Sequence, residues 1–150
     1  MGIILRSSER IAYLTAIVPP LLKALSEQEF TYKPGPSKWS KKQIVGHLVD
    51  SAANNHHRFI RSRIEESPNI FYNQDEWNNL SHYNEMKSED VIELWTCYNK
   101  MLAHIISNMT EDDLERKCYT GGAEPLTLGF IVEDYIRHLE HHLRQVVQYN

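Results

Sequence analysis

Apolar residues recur at helical spacing along almost the whole chain, and no stretch keeps the two-residue alternation of a strand. The pattern predicts long helices at about 3–28, 40–66, 88–108 and from 127 almost to the C-terminus. Pro19-Pro20 should kink or break the first, because proline lacks an amide donor and crowds the preceding turn. Ser40 and Gln43 form a capping box that opens the second, and Ser67-Pro68-Asn69 ends it. The aromatic-rich stretch from Phe71 to Asn84 reads as a packed connection, and Thr110 to Glu115 as a short helical turn. Gly121-Gly122 breaks the chain before the last helix. The expected fold is all-α, a four-helix bundle, formed as one domain over residues 1–150.

At about 100° per residue, Val132, Ile136, Leu139, Leu143 and Val146 make an apolar arc on the last helix, with Glu133, Arg137, Glu140 and Arg144 opposite. His138 and His142 fall on the border. The second helix repeats this plan: Ile44, Val45, Leu48, Ala52 and Phe59 form the arc, and its border carries His47, Asp50, Ser51, Asn54 and Arg58. Border positions of this kind face the mouth of a bundle, where packing can hold a site that small molecules still reach.

Composition narrows the functional classes. With 16 Lys plus Arg against 20 Asp plus Glu, the net charge of -4 and the lack of a basic cluster argue against nucleic-acid binding. The cysteines, Cys97 and Cys118, are too few for a disulfide framework and form no CxxC pair, so they read as thiols of a reducing compartment. Neither a signal-peptide core nor an uncharged run of membrane length is present, so no membrane association is expected and the expected location is the cytoplasm.

Eight histidines are many for 150 residues. His138 and His142, four apart, share a helix face and can share one metal ion, while His141 points elsewhere. An HxxxH pair also arises by chance on solvated helices. His47 lies on a comparable border, and the two borders could meet as a three-imidazole set with a fourth position open, the pattern of a catalytic metal site. Imidazole suits zinc, nickel, copper or iron; zinc or nickel is preferred here. Asp50, one turn from His47, is a candidate catalytic proton acceptor or orienter of a ligand ring. Arg58 is a candidate catalytic and substrate-binding residue through its bidentate fork, and Asn54 a candidate substrate-binding residue. Each also has a structural reading: Asp50 and Asn54 could bond neighbouring helices, and Arg58 could pair with an acid across the bundle. His56 falls in the apolar arc as a core or interface histidine, His57, His82, His104 and His141 read as solvated or structural, and the tryptophans read as packing residues.

The stretch from Trp39 to Phe59, with His47-Leu48-Val49-Asp50 at its centre, resembles the hallmark segment of the DinB-like (DinB/YfiT) family. His138-Leu139-Glu140-His141-His142 is similar to its C-terminal motif, and Tyr72 to Trp77 and Asn99 look family-like as well. The resemblance implies an up-down-down-up four-helix bundle, frequently a homodimer, with one divalent transition metal on His47, His138 and His142. It implies diverse activities on small-molecule substrates: thiol S-transfer with a low-molecular-weight thiol cosubstrate, thiol-dependent isomerisation, or metal-dependent hydrolysis. Thiol transfer is the leading expectation, hydrolysis of a small amide or ester the second, and a non-enzymatic metal- or ligand-binding stress protein or dimerisation module the third. Ile136, toward the far edge of its arc, is a weak pointer to a subunit contact.

Overall fold

The computed structural model describes residues 2–150. Helix α1 runs Ile3–Lys23 and passes through Pro19 and Pro20 without ending, so of the expected kink or break the break does not occur. The lost backbone bonds are tolerated because Val18, Pro19 and Leu22 are buried on the same side, so packing holds the helix through the defect. The chain breaks later, before α2 (Glu27–Thr31), where Ser26 and Glu29 form a reciprocal capping box. That local start signal ends the expected long first helix early.

Helix α3 (Lys41–Ile64) opens on the expected Ser40–Gln43 box. Its entry is pinned from both sides. The Ser40 hydroxyl donates to Asn84 Oδ1 at 2.6 Å, the Asn84 amide donates to the Thr31 carbonyl at 3.1 Å, and the buried Lys42 ammonium donates to the carbonyls of Asn84 and Met86. The connection that follows is packed, as its aromatic content predicts, but it also contains a helix, α4 (Gln74–Ser81), whose first turn is capped by the Asn73 side chain. Helix α5 (Ser88–Ser107), the one-turn α6 (Glu111–Leu114), the short antiparallel pair β1 (Lys117–Cys118) and β2 (Leu126–Thr127), and α7 (Leu128–Leu143), capped by Thr127, complete the chain.

Side-chain pairings fix the helix directions. Arg6 meets Glu133 at 2.7 Å and Arg10 meets Glu140 at 2.6 Å, so α1 and α7 run the same way. Lys42 reaches Met86 and His56 reaches Tyr98, so α3 and α5 also run together. His47 stacks near His142 while Phe59 stacks near Tyr135, so α3 and α7 are antiparallel. In chain order the long helices go up, down, down, up.

The core draws Ile11, Leu14, Val18 and Leu22 from α1, Leu48, Ala52 and Phe59 from α3, Trp95, Leu102 and Ile106 from α5, and Val132, Leu139 and Leu143 from α7. Each such large side chain withdrawn from water stabilises the fold by ~1.5–3 kcal/mol. No helix of the described residues is long and apolar enough to cross a membrane. Cys97 is exposed and Cys118 buried, and neither is bridged.

Candidate metal centre

Antiparallel packing of α3 on α7 brings His47 against His138 and His142. One ligand atom from each of the three lies within 4.8 Å of the others. His47 Nε2 and His138 Nε2 are 3.0 Å apart. Two nitrogens bound tetrahedrally at 2.0–2.1 Å would be about 3.3 Å apart, so the donors already stand close to the spacing an ion requires. The rings meet edge to face, with centroids 4.6 to 4.9 Å apart. His142 Nδ1 is 3.0 Å from Gln145 Oε1; as a donor there it leaves Nε2 with a free lone pair for the centre. Trp39, just before the α3 cap, lays its ring 4.9 Å from that of His47 and closes one side.

Burial dominates the electrostatics of this cluster. His47 is held at about 3 by desolvation, helped by the neighbouring His138 and His142 charges. His138 is held at about 4 by desolvation and then by His142, and His142 is lowered by burial as well. All three are therefore neutral near pH 7, the form that offers lone pairs. A group of three neutral imidazoles converging from two helices, with no carboxylate or thiol among them, suits a divalent transition-metal ion.

A cavity of about 120 Å³ adjoins His138. Ser51, Asn55 and Arg58 of α3, Tyr72 from the α3–α4 connection, and Asp134 and Tyr135 of α7 contribute to its wall. Arg58 thus stands where the α3 border predicts. Its Nε and Nη2 donate to the Ile70 carbonyl at 3.2 and 2.9 Å, which ties the connection over the cavity. Its Nη1 donates to Asn55 Oδ1 at 3.4 Å, and burial lowers its pKa.

Asp50 and Asn54 sit one step round the helix from this wall. Asn54 donates to the Asp50 carbonyl of its own helix at 2.9 Å, and the cavity is lined by Asn55 instead. Asp50 is buried and accepts from Tyr83 Oη at 2.5 Å, while its Oδ2 has no partner among the described residues. Desolvation raises its pKa to about 6, against the lowering effect of the Tyr83 bond. Tyr83 reaches it because residue 46 is glycine: a Cβ there would lie 2.2 Å from the tyrosine ring. No hydrogen bond joins Asp50 to the three imidazoles among the described residues.

The chain matches the DinB superfamily over residues 12–146. It belongs to that superfamily. Among its relatives, a candidate metal-dependent hydrolase of Oceanobacillus iheyensis is 28% identical over 109 residues, 72% of this chain and 63% of that protein. YfiT of Bacillus subtilis, named in the same way, is 26% identical over 125 residues, 82% of this chain and 69% of its own. This DinB-superfamily chain therefore spans less than two thirds of the first relative's length. The solved structure of YfiT, described as a four-helix bundle of unusual topology, superposes with a TM-score of 0.79 at 22% identity, covering 93% of this chain and 83% of YfiT. A mycothiol-dependent maleylpyruvate isomerase superposes at 0.76 with 11% identity, covering 95% and 60%. These two structural likenesses speak to the fold.

Sequence reasoning missed Asn55, Tyr72, Thr120 and Asp134 as cavity residues of the DinB-superfamily chain. For Asn55 a signal existed: from His47, steps of four reach Ser51 and Asn55 on the side that faces α7, whereas Asp50 meets Tyr83. Tyr72 and Thr120 enter from loops, where no periodicity reports orientation. Of the other histidines, His57, His82, His104 and His141 are exposed as expected, and His56 is half-buried, 3.0 Å from the Tyr98 hydroxyl.

Proposed function

We propose that the protein is a metal-dependent enzyme that holds one divalent ion, zinc or nickel, on His47, His138 and His142 and acts on a small molecule bound in the adjoining cavity. The observation that carries this reading is the convergence of three neutral imidazoles from α3 and α7 beside a polar-walled space of about 120 Å³. A divalent ion bound by three imidazoles keeps a position open and lowers the pKa of a thiol or water that occupies it. The chain's own residues do the rest. Gln145 holds the His142 ring in orientation, and Trp39 excludes water from the His47 side. Arg58, with one edge of its fork on Ile70, keeps further donors for an anionic part of the substrate.

Thiol S-transfer is the preferred reaction, with a low-molecular-weight thiol as cosubstrate. Hydrolysis of a small amide or ester is the second reading, favoured by the names of the curated relatives. Asp50, displaced from the imidazoles, would serve in either case by fixing α3 through Tyr83 rather than by touching substrate. A homodimer in the cytoplasm is the working expectation for its state in the cell.

The test is elemental analysis of protein purified without a metal-chelating column, followed by an electrophile screen with and without small thiols. One equivalent of zinc or nickel and thiol-dependent turnover support transfer; turnover without thiol supports hydrolysis. A protein that binds no metal after growth in supplemented medium overturns the reading. Metal lost in His47→Ala, with turnover unchanged, would point to the non-enzymatic alternative.

A further inference from the structure

The cavity beside His138 carries one charge of each sign. Arg58 offers five N–H donors; the Ile70 carbonyl takes two and Asn55 Oδ1 one, so donors remain on Nη1 and Nη2. No carboxylate lies within 4.0 Å of it among the described residues, although burial disfavours its charge. A half-buried guanidinium without an acid, on the wall of a cavity, is arranged for an anion from outside.

Asp134 lies one helical turn before His138 and lines the same space. Its Oδ1 accepts from Arg137 at 2.9 Å in an exposed pair on the same helix, a contact of little strength that leaves the carboxylate available. Arg58, Asp134 and His138 line the same opening. Ser51, Asn55 and Tyr72 add neutral hydrogen-bonding groups to the wall. A phosphate or a dicarboxylate would meet repulsion from Asp134. A simple carboxylate would satisfy Arg58 but face the Asp134 carboxylate with no cation between them. A ligand with an anion and a cation a few bonds apart satisfies both.

The volume sets the size. About 120 Å³ has room for a five-atom head group. We propose that this cavity is a subsite for the α-amino-acid head of the ligand, with its carboxylate on Arg58, its ammonium on Asp134 and its side chain directed to the three-histidine centre. The proposal rests on the reading of that centre as the reaction site.

The test titrates the full chain, with and without one equivalent of zinc, with L-alanine, propionate and ethylamine, followed by amide NMR shifts of the cavity residues. L-Alanine should bind with a Kd of about 1 mM, at least about tenfold tighter than either half-ligand. Asp134→Asn should abolish the preference for alanine over propionate, weakening alanine and not weakening propionate. Arg58→Lys should weaken alanine and propionate alike, and neither variant should change the zinc stoichiometry. Propionate binding as tightly as alanine, an Asp134→Asn protein that keeps the preference, or no saturation at concentrations about a hundredfold above that Kd would overturn the proposal. Zinc stoichiometry separates the two ideas. Loss of alanine binding with zinc retained removes the subsite alone, and a protein that never takes zinc removes the metal reading whatever alanine does.

Discussion

The α1–α5 seam and the α3–α7 seam belong to one bundle and are built from different materials. Between α1 and α5 lie Ile11, Leu14, Val18, Leu22, Trp95, Leu102 and Ile106, all buried and apolar. Along α3 and α7 the buried or half-buried positions include His47, Asp50, Ser51, Asn54, Asn55 and His138. Two of those groups, His47 Nδ1 and Asp50 Oδ2, are buried without a partner. The first seam is carried by apolar burial, with Trp95 Nε1 the one polar atom of these residues buried without a partner. The second accepts the cost of desolvating polar groups, and sites that accept such a cost are where binding and chemistry are found. Apolar packing and the candidate metal centre are thus divided between two helix pairs of one bundle.

The strongest way to break this division is a pair of truncations. Trp95→Ala should cost ~3–5 kcal/mol in urea unfolding, since it empties a fully buried site on α5, while metal bound per folded molecule stays the same. His47→Ala should do the reverse, weakening metal binding more than about 100-fold with a much smaller loss of apo-protein stability. If Trp95→Ala removed the metal from folded protein, the two seams would not be independent.

Acid sharpens the contrast next. His47 and His138 are held at about 3 and about 4 in the folded chain, below the ordinary imidazole value of 6.5. Above pH 7 both folded and unfolded chains are neutral there. As pH falls below about 6.5, the unfolded chain takes up protons that the folded chain refuses, so the metal-free protein loses stability toward pH 4. Asp50 acts in the opposite sense. Its folded pKa of about 6 exceeds the ordinary 3.8, so its contribution is most favourable below 3.8 and is lost as pH rises through 6. Asp50→Asn should therefore be more stable than the parent at pH 8, by up to ~2–3 kcal/mol, with the difference vanishing near pH 4. Denaturant titrations at pH 8, 6 and 4.5 check both signs.

Smaller effects follow at the edges of each seam. Gly46→Ala places a methyl in the Tyr83 ring and should cost ~1–3 kcal/mol, with Asp50 losing its one hydrogen-bond donor. The resulting rise in Asp50 pKa would be visible by carboxyl NMR. Arg6→Ala, which breaks an exposed pair with Glu133 on the α1–α7 side, should change stability by less than ~1 kcal/mol. A loss larger than that would mean that α1–α7 electrostatics matter to the fold as much as its packing.

Helical periodicity, the Ser40–Gln43 box and the Thr110 turn were legible in the chain because they are local: neighbours within four residues decide them. The same locality misled at Pro19-Pro20, where burial of Val18, Pro19 and Leu22 overrides a proline's preference. Helix α4 was missed because the Asn73 cap opens only a short helix whose apolar spacing is too brief to register. The three-histidine set was legible as two separate borders. Nothing in the spacing of His138 and His142 states that α3 will lie antiparallel beside them, and it was the family resemblance that joined the two.

By itself the sequence determined the helices, their apolar faces, and the residue types from which a metal centre can be made. Tertiary structure decided which side of α3 meets α7. A helix turns 100° per residue, so Asp50, close to the meeting line, was carried toward Tyr83, while Ser51, Asn55 and Arg58 were carried into the cavity. It also decided that Arg58 meets a backbone carbonyl rather than an acid, and that Asp134 stands at the same opening. Those relations depend on the rotation and direction of packed helices and on loops that cross between them. No local rule encodes them, because the partners lie far apart in the chain, His47 and His138 by 91 residues.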